Sequence, residues 1–177
     1  MSYWFSCFLM YSFLGYLLEK LFARVTRSER QVRKCFLLLP LCPVYGLAMV
    51  AVLLLTPAAL PFWVRVVTGA VICTTVEYLV HLFYDKVFQT RFWDYSDLSG
   101  NICGRICPHF ALIWGILSAA AVEYVHPLLA LAASAVPPYA VFGLWMLLAF
   151  DCVLTSTLLL RRHDTELLSL SALLTQQ

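Results

Sequence analysis

Charge is what this 177-residue chain has least of: 12% of its residues are charged, against roughly 25% in an ordinary soluble domain. Hydrophobic residues make up 62%, and several apolar runs reach about 20 residues, the length a helix needs to cross the hydrocarbon core. A net charge of +2 is too small to point to nucleic acid. Short segments of alternating polarity, the mark of a transmembrane β-barrel, are missing. Lipid offers the bare backbone no hydrogen bonds, so the apolar runs should be helices. The expectation is one all-α domain over residues 1–177: a polytopic bundle of about five transmembrane helices, with a partly irregular cytoplasmic-side segment between helices three and four.

Other absences narrow the chemistry. There is no G-x-x-x-x-G-K-[ST], so the chain is not itself a P-loop ATPase. Its seven cysteines are odd in number and contain no C-x-x-C pair, which argues against a disulfide framework and for small apolar packing residues. Cys103, Cys107 and His109 form C-x3-C-x-H, which is not a standard zinc spacing. No metal and no cofactor are expected. The N-terminus lacks a positive n-region and no A-x-A site follows, so the first run, Ser2 to about Ala23, should remain as an anchor. No internal repeat is visible.

What is there falls into five spans: about Tyr3–Phe22, Cys35–Leu55, Phe62–Tyr84, Ile106–Tyr124 and Pro138–Leu160. Pro40, Pro43 and Gly46 should kink or unwind the start of the second. His126–Pro137 reads as a loop. The tail from Thr165, with its spaced leucines, suits an interfacial helix or a frayed terminus. Arg24, Arg27, Arg30, Arg33 and Lys34 follow the first span, Lys86, Arg91 and Arg105 the third, and Arg161 and Arg162 the fifth. By the positive-inside rule the N-terminus is outside and the C-terminus inside.

Ionisable groups within spans are costly, about 2.5–3.5 kcal/mol at the bilayer centre, and mark function by default. Glu77, His81 and Asp85 recur at i, i+4, i+8, which puts them on one helix stripe. The stripe suits a proton relay or substrate contact, or a structural pairing between helices. Glu19 follows Ser12 and Gly15 on a similar face of the first span, and either snorkels or joins Glu77. Between the third and fourth spans, Asp94 precedes Tyr95 and Ser96 in a possible Asx turn, and Asn101 is a candidate N-cap for the fourth helix. Gly104 permits close backbone approach. Arg105 needs an anion: Glu77, Glu19, Asp94, or the phosphate of a lipid or substrate. Asp151, one turn before Thr155, either completes the cluster or is satisfied by hydroxyls. The candidate polar site is therefore Glu19, Glu77, His81, Asp94, Tyr95, Asn101 and Arg105, converging near the cytoplasmic face.

Several of these residues together resemble a known family. Gly15-Tyr16-Leu17-Leu18-Glu19, the Pro-containing run Leu39 to Gly46, Glu77-Tyr78, Trp93-Asp94-Tyr95-Ser96, Asn101, Gly104-Arg105-Ile106-Cys107, Trp114-Gly115 and His126-Pro127 carry it. The chain is similar over about residues 12–127 to the bacterial ABC-transporter permease family of the CmpB type (type IV). That resemblance implies a transport subunit in the bacterial inner membrane, with a separate ATP-binding partner. Five spans are few for a transport path, so a homo-oligomer is expected, with membrane lipid as the other partner. Two readings stay beside it: an intramembrane enzyme acting on a lipid-linked or phosphate-bearing substrate, and a structural or regulatory membrane partner.

Overall fold

The computed structural model describes residues 2–26, 35–57 and 59–162. The basic stretch 27–34, and the tail from Thr165 read above as an interfacial helix or a frayed terminus, lie outside the described residues. Among the described residues five helices form: α1 (Ser2–Val25), α2 (Pro43–Leu55), α3 (Phe62–Phe88), α4 (Pro108–Ala135) and α5 (Pro138–Arg162). Four of them, all but α2, are long and apolar enough to cross a membrane. No strand forms among the described residues; Ile102 and Ile106 make an isolated antiparallel bridge.

The second span is a half-helix. Thirteen residues of α2 give about 20 Å, short of a hydrocarbon core of about 30 Å. Residues 35–42 are non-helical, yet Cys35, Phe36, Leu37 and Cys42 are buried and Pro40 alone of the eight is exposed. The amide of Cys42 donates to the Ser12 carbonyl at 2.8 Å. Ser12 is near the middle of α1, so α2 begins halfway along its neighbour. Pro40 and Pro43 explain the break, since neither can donate to a preceding turn and each disfavours helix in the residue before it.

Irregular backbone at this depth must find partners within the protein. Asp151 of α5 supplies them. Its two carboxylate oxygens accept from the amides of Leu38 at 3.2 Å and Leu39 at 2.9 Å, and Thr155 donates to the first of those oxygens at 3.3 Å. Asp151 and Thr155 are both buried. The sequence offered hydroxyls or the polar cluster as partners; the larger demand comes from two backbone amides.

Helix α4 extends beyond its expected end. In place of the expected loop from His126, the helix continues to Ala135. A π turn at Ala121–Val125 sits just before Pro127. Widening the helix there relieves the clash between the proline ring and the preceding turn. At this end Arg65 of α3 pairs with Glu123, and the Tyr3 hydroxyl lies 3.3 Å from His126 Nε2.

Lipid tails are as apolar as leucine, so helices here associate through close packing and polar links. The buried residues of α3 include Val66, Gly69, Cys73, Glu77 and His81, one stripe at helical spacing. Gly115 of α4 lies so close to α3 that an added Cβ would sit 2.5 Å from the Val66 carbonyl oxygen. On the other side, Gly15 of α1 lies against the Tyr45 ring of α2.

Removing the Asp151 carboxylate tests the polar link. Asp151→Ala leaves the partly buried amides of Leu38 and Leu39 without that acceptor and should cost about 2–4 kcal/mol, read as a lower unfolding midpoint in detergent. Asp151→Asn keeps one acceptor oxygen and should lose less.

Candidate functional site

The stripe on α3 is met, residue by residue, by the segment that follows it. The Tyr95 hydroxyl donates to Glu77 Oε1 at 2.9 Å. His81 Nε2 lies 3.1 Å from the Trp93 carbonyl, which fixes the proton on Nε2 because a carbonyl only accepts. Arg105 Nη2 pairs with Asp85 Oδ2 at 2.8 Å, and its guanidinium lies 5.4 Å from the centre of the Tyr78 ring. The i, i+4, i+8 spacing is thus a landing strip for residues 93–105.

The segment is held in shape by its own polar residues. Asp94 Oδ1 accepts the Ser96 amide at 2.9 Å, the Asx turn expected from sequence. Asn101 does not cap α4, whose first residue is Pro108 after Cys107. Instead its amide nitrogen donates to the Leu98 carbonyl at 2.7 Å and its oxygen accepts the Gly104 amide at 2.9 Å. The Tyr95 amide donates to the Gly104 carbonyl at 2.8 Å, and Trp93 Nε1 to the Arg105 carbonyl at 3.0 Å. Gly104 has φ +67°, and a Cβ there would lie 2.6 Å from Asp94 Oδ1, so both conformation and space require glycine. Trp93, Asp94, Asn101 and Gly104 therefore serve to present Tyr95.

Asp94 lies outside the spans. Its hydrogen bonds from Ser96, helped by Arg91, hold its carboxyl below the ordinary value of 3.8. The ionised form is the one the fold favours, so this contribution is complete above 3.8 and is lost as pH falls through the lowered folded value.

Glu77 is 7% exposed. Besides Tyr95, Trp114 Nε1 of α4 reaches its Oε2 at 3.2 Å. Across from it, the Tyr45 hydroxyl donates to Glu19 Oε1 at 2.8 Å. Glu19, Glu77 and Tyr95 line one cavity of about 240 Å³. A second cavity, of about 360 Å³, continues from it and shares Leu18, Tyr45, Glu77, Trp114 and Leu117. Helices α1 and α4 flank this groove and α2 and α3 line it between them. Leu14, Leu117 and Tyr124 on its wall are 37%, 41% and 71% exposed, so it opens sideways, where lipid would be.

The expected cluster therefore divides. Glu19, Glu77 and Tyr95 come together. His81, Asp94 and Asn101 brace the segment that delivers Tyr95. Arg105 takes none of the partners proposed for it from sequence; Asp85 engages it, one turn beyond His81 on the same stripe. Tyr84, between them in sequence, turns away into an apolar cluster with Phe36, Phe88 and Phe92. Tyr45, Phe110 and Trp114 were missed as lining residues. Nothing local distinguishes them from packing aromatics, although Trp114-Gly115 and the run ending at Gly46 carry the family resemblance.

Two substitutions probe the arrangement. Tyr95→Phe removes one donor to Glu77 and should lower stability by about 1–2 kcal/mol, seen as a lower unfolding midpoint. Asp94→Ala should loosen residues 93–105 and raise trypsin cleavage after Arg91 several-fold, with α1 and α5 left intact.

A family model described as "Putative ABC-transporter type IV" matches residues 6–156. Comparisons with curated proteins and with solved structures return no match. The matched range takes in all of the groove-lining residues and the whole of segment 89–107, and on that match the chain is a membrane protein of the ABC-transporter type IV family.

Proposed function

We propose that the chain is the membrane subunit of a transporter in the bacterial cytoplasmic membrane, and that a separate ATPase drives it. The observation that carries this reading is the broken second span beside the groove. Discontinuous helices that end near the bilayer midplane, with Gly- and Pro-interrupted sequence, are a recurring way to build a transport site. Here α2 starts level with Ser12 of α1, and Tyr45 in its first turn reaches Glu19 in the groove. The chain carries no P-loop, so the energy source lies elsewhere. The basic residues put the N-terminus outside, with segment 89–107 and the C-terminus inside. One chain walls only a sideways-open groove, which favours assembly with a second copy.

The enzymatic reading finds less support. It needs a cation beside the carboxylates to hold a phosphate, and Arg105 is engaged by Asp85 instead. Among the described residues, the lining of the two cavities includes no Lys or Arg.

Affinity capture of the full chain from gently solubilised membranes should bring down an ATP-binding subunit; recovery of the chain alone would sink the transport reading. Orientation has its own check. Cys103 is the exposed cysteine of segment 89–107. It should react with a membrane-impermeant maleimide in inverted vesicles and stay unlabelled in intact cells. Labelling from outside would reverse the topology.

A further inference from the structure

The groove combines an aromatic box with a buried carboxyl group. Phe22, Tyr45, Trp93, Tyr95, Phe110 and Trp114 all line the smaller cavity, together with Glu19 and Glu77. The rings are set at varied angles. Phe110 stacks on Tyr95 at 4.8 Å, lies 5.9 Å from Trp114, and meets Phe22 edge-on at 6.5 Å. Tyr45 stands perpendicular to Trp114 at 5.6 Å. Tyr95, Phe110 and Trp114 lie near-parallel, and Phe22 and Tyr45 are turned across them, so the cavity is walled by rings in two orientations, the kind of lining in which cation–π attraction holds quaternary ammonium ions.

Charge points the same way. Both donors to Glu77 are neutral, the Tyr95 hydroxyl and the Trp114 indole. Neither brings a formal positive charge to this carboxyl group. The start of α2 brings roughly half a unit of positive charge. An anionic head group would meet the Glu77 carboxyl group with no Lys or Arg among the described lining residues.

The larger cavity supplies the apolar half. Beyond Glu77 its wall is mainly Leu14, Leu18, Met49, Leu117 and alanines. Its volume of about 360 Å³ falls within the range of small-molecule sites, about 300–1,000 Å³. Because Leu14, Leu117 and Tyr124 are exposed at its mouth, an alkyl tail can run out into the bilayer without leaving an apolar surface.

We infer that the groove binds a cationic amphiphile from the membrane, an alkylammonium head in the aromatic box against Glu77 and a single tail along α1 and α4. This rests on the transport reading for its purpose, but the binding is testable on the isolated chain. In lipid nanodiscs the full chain should bind dodecyltrimethylammonium saturably, at one site per chain. Dodecyl sulfate and dodecyl maltoside, with the same tail, should bind much more weakly. Glu77→Gln should weaken ammonium binding by about tenfold or more. Phe110→Leu keeps apolar bulk but removes a ring face, and should weaken the ammonium several-fold with little effect on the maltoside. Parallel melting curves identify any variant that fails to fold, and the comparison among the three head groups on unmodified protein stands without the variants. Equal or tighter binding of the sulfate, or ammonium binding unchanged in both folded variants, overturns the inference. Should an ATP-binding subunit co-purify while the ammonium does not bind, the ligand class is wrong and the transport reading survives. If the chain is recovered alone and still binds the ammonium, the ligand class stands and the transport reading falls.

Discussion

The constraint on which this fold depends is that membrane interiors supply no hydrogen bonds. Every polar group taken to depth must be satisfied by the protein, and each link is directional. Apolar contact alone discriminates little between helix arrangements when lipid is equally apolar. Two carboxyl groups do much of the positioning. Glu77 draws Tyr95 from the 89–107 segment and Trp114 from α4. Asp151 draws the unwound start of the second span to α5. Glycines at close crossings then let the helices approach near enough for those links to close.

Segment 89–107 shows how a loop can be made as definite as a helix. Its backbone bends through left-handed conformations at Gly100, Cys103 and Gly104. Two short polar side chains satisfy amides along it, Asp94 that of Ser96 and Asn101 that of Gly104. The outcome is a rigid bracket fixed to α3 at three successive turns by Tyr95, Trp93 and Arg105. Two of those attachments, Trp93 and Tyr95, also form part of the groove wall. Bracket and groove are therefore coupled through these two side chains, and a partner bearing on the bracket from outside would act on Glu77 through Tyr95.

Much of this was legible in the sequence, for identifiable reasons. Lipid leaves the backbone few options, so helices follow from apolar length. Pro40 and Pro43 announced the break in the second span. The spacing of Glu77, His81 and Asp85 announced a shared face. What could not be read was pairing across the fold. Arg105 has several carboxylates within plausible reach, and only the turn at Ile102–Ile106 decides that it meets Asp85. Asp151 looked like a partner for hydroxyls because its amides lie more than a hundred residues away. The helical run through Pro127 was hidden because a proline usually ends a helix, and the π turn that spares this one has no signature. Tyr45, Phe110 and Trp114 became lining residues only once α1 and α4 stood apart.

The clasp between Asp151 and the amides of Leu38 and Leu39 has a bearing on how the protein is made. Synthesis runs from the N-terminus, so the unwound stretch is translated long before the residue that completes its hydrogen bonding. Until α5 arrives, two amides at membrane depth lack the acceptor that the finished fold gives them. The last of the described helices is therefore the one that closes the first half of the molecule. Assembly is a delayed ring closure rather than a stepwise stacking of finished hairpins. A nascent chain stalled before α5 would expose polar backbone where membrane quality control can recognise it.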